Sequence, residues 1–118
     1  MQVEEIVQIN LNAYNQRDIE AFASVLSSDI ELFELGETTP SLSGMTEVKQ
    51  MYATLFENSP ELHSTILKRI VIGNRVIDHE KITGRNGAIE ATVEPIELTL
   101  IYEIEGSLIR KIYVLRAS

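Results

Sequence analysis

The sequence predicts an α+β domain in which three N-terminal helices pack on one face of an antiparallel sheet. Three observations predict it. Apolar residues recur at helical spacing in the stretch before Pro60. After Pro60, β-branched and aromatic residues gather in runs typical of strands. Two joins between those runs, Gly73-Asn74 and Glu105-Gly106, have the composition of tight turns.

In chain order, Val3, Ile6, Val7, Asn10, Ala13 and Tyr14 fall on one face of a first helix. Asp18 can cap a second, short helix whose inward stripe is Ile19, Phe22, Ala23 and Leu26. Ile30 to Leu35 reads as a short strand, and GETTPSLSG (36–44) as a loop. A third helix carries Val48, Met51, Tyr52, Leu55 and Phe56 on one side. It should stop near Asn58, because Pro60 disfavours helical geometry in the residue before it. Strands follow over 61–72 and 75–83, joined by a type II′ turn at Gly73-Asn74, then over 96–104 and 107–116. The joint 85–95 reads as a loop feeding an edge strand, since Pro95 cannot donate to a ladder.

A chain of 118 residues is expected to form one domain, 1–118. Its 44% hydrophobic and 24% charged content is that of a globular protein. Without cysteine there is no disulfide, thiolate nucleophile or cysteine-based metal site, and two histidines do not make a zinc cluster. Carboxylate sites for harder ions stay open on composition alone, but no metal site and no cofactor is assigned. A net charge of −8 repels nucleic acid and anionic membranes, so neither is an expected partner. The N-terminal MQVEEIVQ is acidic with no apolar run behind it, so no signal peptide or membrane span is expected, and the expected location is the cytoplasm.

The stretch RVIDHEKITG (75–84) sets charge in the middle of a strand. With a turn at Gly73-Asn74, Arg69 faces Asp78, Leu67 faces Glu80 and Thr65 faces Ile82 on one side of the sheet. The other side pairs Lys68 with His79, Ile70 with Ile77 and Ile66 with Lys81. We expect Arg69, Asp78 and Glu80 to point inward, because a guanidinium can satisfy a partly buried carboxylate with two parallel bonds. The alternative is a surface ion pair worth under about 1 kcal/mol.

Asn10 interrupts the inward face of the first helix, so it either braces neighbouring backbone or points into a polar cavity. Glu34 shares a strand face with Ile30 and Leu32. Desolvated there, its pKa would rise into the range that suits a proton-transferring base; past the strand's end it would simply face water. Tyr14, Tyr52 and Tyr102 read as core residues with their hydroxyls tied off, any of which could line a pocket.

AYNQRDIEAFASVLSSDIELFE, SLSGMTEVKQMYATLF, VIDHEKITG and IYEIEGSLIRKIYVLR, in that order, resemble the nuclear transport factor 2-like superfamily, closest to its SnoaL-like branch, which includes the ketosteroid isomerase fold. The resemblance spans nearly the whole chain. It implies a strongly curved antiparallel sheet wrapped around the helices as a cone with a cavity, and a homodimer formed through the sheet. We expect its convex face to carry Lys68, Ile70, Ile77, His79, Ile109 and Tyr113. Against the isomerase, the general-base aspartate falls at Glu34, the oxyanion-binding tyrosine at Asn10, the protonated aspartic acid near Thr99, and a helix-three tyrosine is kept as Tyr52. With both strong oxyanion donors replaced, steroid isomerisation itself is not expected.

Two functions stay open at this point. One is a cofactor-independent isomerase, cyclase or hydrolase acting on a small apolar or amphipathic molecule. Glu34, Asp78 or Glu80 would then move the proton, with Asn10, Tyr14, Tyr52 and Arg69 binding substrate. The other is a non-catalytic ligand-binding or dimerisation module. Pocket geometry separates them: an enzyme needs convergent carboxylates in a cavity of roughly a few hundred Å³.

Overall fold

The helical first half and the strand-rich second half pack as two layers, in a computed structural model that describes residues 1–86 and 95–116. The elements are α1 (Val3–Gln16), α2 (Ile19–Ser24), β1 (Leu26–Glu34), β2 (Leu42–Ser43), α3 (Met45–Asn58), β3 (His63–Ile72), β4 (Arg75–Thr83), β5 (Ile96–Glu105) and β6 (Leu108–Arg116). One sheet has the order β2-β1-β6-β5-β4-β3. Asp18 caps α2 through an Ala21 N–H to Asp18 Oδ1 bond of 3.1 Å, and α3 stops at Asn58.

Four features depart from the sequence expectation. β1 begins at Leu26, which therefore opens a strand and does not close a helix stripe. It pairs in parallel with β6, so the sheet is mixed, and the loop 36–44 contributes the two-residue β2. The second turn sits at Gly106-Ser107, one residue later than expected. There Gly106 takes φ +65°, the value that the first central position of a type II′ turn demands, as Gly73 does at +58°. The expected edge strand in 85–95 falls largely outside the described residues.

Bulges shape the sheet. The β3–β4 pairing runs as expected from Ile72↔Arg75 to Lys68↔His79, then shifts, so that Ile66 faces Glu80, Thr65 faces Lys81 and Ser64 faces Ile82. Leu67 is the extra residue. A second shift between Glu103 and Ile104 turns Ile109 inward, where it is fully buried. Ile109 is therefore a core residue, not part of the outer face. Each such insertion bends its strand and adds twist, which curves the sheet around the helices.

The inner face carries the core. Val76, Tyr102, Ile112 and Leu32 form one row across four strands, closed over by Ile6, Val7, Phe22, Val48 and Phe56 of the helices. Burying each of these side chains contributes about 1.5–3 kcal/mol. The outer face carries a second apolar row, Ile70, Ile77, Ile101, Tyr113 and Phe33, in which the last two rings stack at 5.1 Å.

Candidate functional site

Along β4, strand alternation sends Val76, Asp78, Glu80 and Ile82 inward and leaves Arg75 and Lys81 exposed. Two carboxylates thus enter an apolar face. Asp78 is 0% and Glu80 3% exposed. Their surroundings differ.

Asp78 is answered by charge. Arg69 Nε donates to Asp78 Oδ1 at 2.6 Å and Arg69 Nη2 to Oδ2 at 2.8 Å. Arg69 Nη1 also donates to Gln8 Oε1 at 2.8 Å, tying the pair to α1. This two-pronged geometry is the one that lets a buried carboxylate stay satisfied.

Glu80 is answered by hydroxyls. Ser64 Oγ donates to Glu80 Oε1 at 2.6 Å, and Tyr102 Oη lies 3.5 Å from Oε2. The bulge at Leu67 is what brings Ser64 inward, in the place that an unbroken register gives to Thr65. Ser64 is held in turn by Asn15 near the end of α1. The Asn15 side chain accepts from Ser64 N–H at 2.7 Å and donates to Ser64 carbonyl at 3.0 Å. Burial pushes the Glu80 carboxyl up from 4.5 to about 7, against the Ser64 hydrogen bond that lowers it, while the nearby Asp78 charge raises it further. Arg69 and Tyr102 offset part of this rise.

Glu80 forms part of the wall of a cavity of about 80 Å³ between helices and sheet. Asn10, Tyr14, Tyr52 and Tyr102 line it with Glu80, as do Phe22 and Met51. Tyr14, Phe22, Tyr52 and Phe56 pack as one aromatic group with centroids 4.5 to 6.5 Å apart. Burial raises the Tyr52 phenol to about 12 and pushes Tyr14 and Tyr102 higher than ordinary tyrosine. These phenols stay protonated at neutral pH, so they can donate hydrogen bonds but not act as bases. Asn10 does both things considered for it: its Nδ2 braces the Phe22 carbonyl at 3.1 Å, and its side chain borders the cavity.

Of the expected site residues, Asn10, Tyr14, Tyr52 and Glu80 meet at the cavity, while Asp78 and Arg69 lie beside Glu80 on the same sheet face, outside the lining. Glu34 requires correction. Its side chain is 40% exposed, and Arg116 clasps it, Nε to Oε1 at 3.0 Å and Nη2 to Oε2 at 3.2 Å. The basic partner comes from the neighbouring β6, not from its own strand or loop, and the carboxylate is neither desolvated nor in the cavity lining. Thr99 faces outward with His79. Ser64, Arg85 and Arg116 were not anticipated. Ser64 depends on the bulge, and the two arginines sit just after a strand and at a strand's last residue, where periodicity gives no direction. Among the described residues no three His, Cys, Asp or Glu side chains converge as metal ligands.

A curved sheet closed by helices over a small cavity with a buried carboxyl defines the cone-shaped, cystatin-like class of α+β proteins. More particularly, residues 7–112 match the model of the SnoaL-like domain, and the chain belongs to that family. Among solved structures, it is similar to an uncharacterised cystatin-fold protein from Novosphingobium aromaticivorans (TM-score 0.87, 21% identity, 98% of this chain and 99% of that one). It is also similar to a SnoaL-like protein from Burkholderia thailandensis (0.79, 15%, 98% and 94%). A third similar structure is a protein of ketosteroid isomerase-like fold from Catenulispora acidiphila, solved with trimethylamine (0.73, 17%, 93% and 83%). At these identities the likeness is one of fold. No curated protein sequence matches the chain.

Proposed function

We propose that this SnoaL-like protein binds a small apolar or amphipathic molecule in its cavity and moves a proton on it through Glu80, without a cofactor. One observation carries the reading: a carboxyl that is 3% exposed, held by a serine hydroxyl, stands in the cavity wall, where burial raises its pKa to about 7. A group poised there can both take and return a proton at pH 7, the condition for efficient general acid–base catalysis. Ser64 fixes one carboxyl oxygen and leaves the other toward Tyr102. Tyr14 and Tyr52 would donate hydrogen bonds to an oxygen on which charge develops. Asp78, held by Arg69, sets the local field, and Glu34 supports the rim.

Exchange of α-hydrogens of cyclopentanone in D₂O, followed by NMR, tests this. The protein should accelerate exchange, E80Q should lose that acceleration, and E34Q should keep it. Loss in E34Q with retention in E80Q would move the base to Glu34.

One observation favours a second reading as a non-catalytic binding module: about 80 Å³ lies below the roughly 300–1,000 Å³ of typical ligand pockets. A protein that binds small ketones but gives no exchange would support it. In either reading we propose a homodimer through the outer sheet face. Its apolar row is flanked by Arg75, Glu103, Lys111 and Glu31, which alternate in sign from strand to strand. A two-fold axis along the strands between β5 and β6 would set every charge opposite its complement. Light scattering that gives the monomer mass at micromolar concentration would contradict it.

A further inference from the structure

The charges around the cavity are not symmetric. Among its described lining residues Glu80 is the one carboxylate, against two guanidiniums, Arg85 and Arg116, in a chain whose net charge is −8. The two signs also sit at different depths. Glu80 is 3% exposed, whereas the Arg116 side chain is 50% exposed and so stands where the cavity meets solvent.

Register fixes the path between them. Glu80 faces Leu98 across β4–β5, and Leu98 faces Arg116 across β5–β6. The three residues share one inner-face row, with Cα atoms of the two ends about 10 Å apart, two inter-strand spacings. Leu98 lies between, and Leu100, one step along β5 on the same face, lines the cavity beside it. An acid at the buried end, an apolar stretch, and at the open end a guanidinium shared with Glu34 form a polarity gradient.

Arg116 keeps capacity for another anion. Its clasp on Glu34 uses Nε and Nη2, two of the five N–H donors of a guanidinium. Planar, weakly hydrated guanidinium groups suit carboxylates in two-pronged geometry.

Building on the small-molecule reading above, we propose that the cavity takes a short-chain carboxylate. Its anionic group lies at the Arg116 end, and its alkyl chain runs along Leu98 and Leu100 toward Glu80. The volume of about 80 Å³ limits it to roughly six non-hydrogen atoms, counting about one per water-sized space. A cationic amine of the same length would meet the guanidiniums instead and is disfavoured.

Methyl-labelled protein titrated with butanoate, 1-butanol and butylammonium tests the assignment, with the Leu98 and Leu100 methyl shifts as the readout. Butanoate should bind at least about tenfold tighter than either analogue, a gap within reach of one charge-assisted contact. R116Q should lose that tenfold for butanoate and nothing for 1-butanol, and R116K should recover part of it. Butylammonium binding as tightly as butanoate, or R116Q weakening both ligands equally, would overturn the proposal. If 1-butanol moves the leucine methyls and butanoate does not, the anion assignment fails while the cavity remains a small-molecule site. If neither ligand moves them, the small-molecule reading fails with it.

Discussion

Asp78 and Glu80 are two residues apart on one strand face, both buried, and they live in different chemical worlds. Asp78 meets a guanidinium in two short bonds, while Glu80 meets a serine and a distant tyrosine hydroxyl. A buried carboxylate clasped by a guanidinium in two bonds becomes part of the framework. A buried carboxyl beside neutral donors keeps a choice of protonation state, and that choice is what a proton-transfer site needs. Glu34 adds a third case. Paired with an arginine but half-exposed, it lies outside the cavity lining.

Breaking the Asp78 half should have the largest effect. R69A strands a carboxylate that is 0% exposed and should cost about 3 kcal/mol in chemical denaturation, with D78A in the same chain recovering part of the loss. An unchanged unfolding midpoint in R69A would dissolve the contrast between the two sites.

Next is the pH dependence of stability that Glu80 imposes. Its folded pKa of about 7 stands above the ordinary 4.5, so folding favours the protonated form. Below pH 4.5 both states hold the proton and Glu80 is neutral to stability. As pH rises from 4.5 to 7 the unfolded chain ionises while the folded one does not, and stability falls through that window. The whole loss is on the order of 3 kcal/mol. E80Q should remove it, becoming the more stable protein at pH 8 relative to wild type. Parallel stability curves for the two proteins across this window would contradict the assignment.

S64A should act on the Glu80 half alone. Removing the donor raises the Glu80 pKa further, because that bond favours the ionised form. It should cost about 1 kcal/mol at pH 8. E34Q should do least, within about 1 kcal/mol and fading in high salt, as exposed ion pairs do.

Much of the fold was legible because pattern and turn chemistry are local. Helical stripes, the Asp18 cap, the Pro60 stop and Gly73-Asn74 needed no partner to be read. The same turn set the register that brings Arg69 to Asp78. What could not be read were the insertions. Nothing in HSTILKRIVI marks Leu67 as the bulged residue, yet that one insertion puts Ser64 in place of Thr65 on the inner face and supplies the donor to Glu80. The bulge near Ile104 likewise hides Ile109. Glu34 could not be placed from the strand face it shares with Ile30 and Leu32, because Arg116 reaches it from a strand some eighty positions on. The parallel β1–β6 pairing that makes this possible is a tertiary fact without a local signature.

The Glu80 carboxyl itself is the direct place to look. Titration of the δ-carbon of Glu80 by NMR, in protein labelled with ¹³C at glutamate and assigned with E80Q, reads its protonation state without a substrate. A midpoint near 7, moving upward in S64A and unaffected by E34Q, is expected. A midpoint near 4.5 would mean that the carboxyl is ionised and solvated, and would remove Glu80 as the poised acid of the cavity.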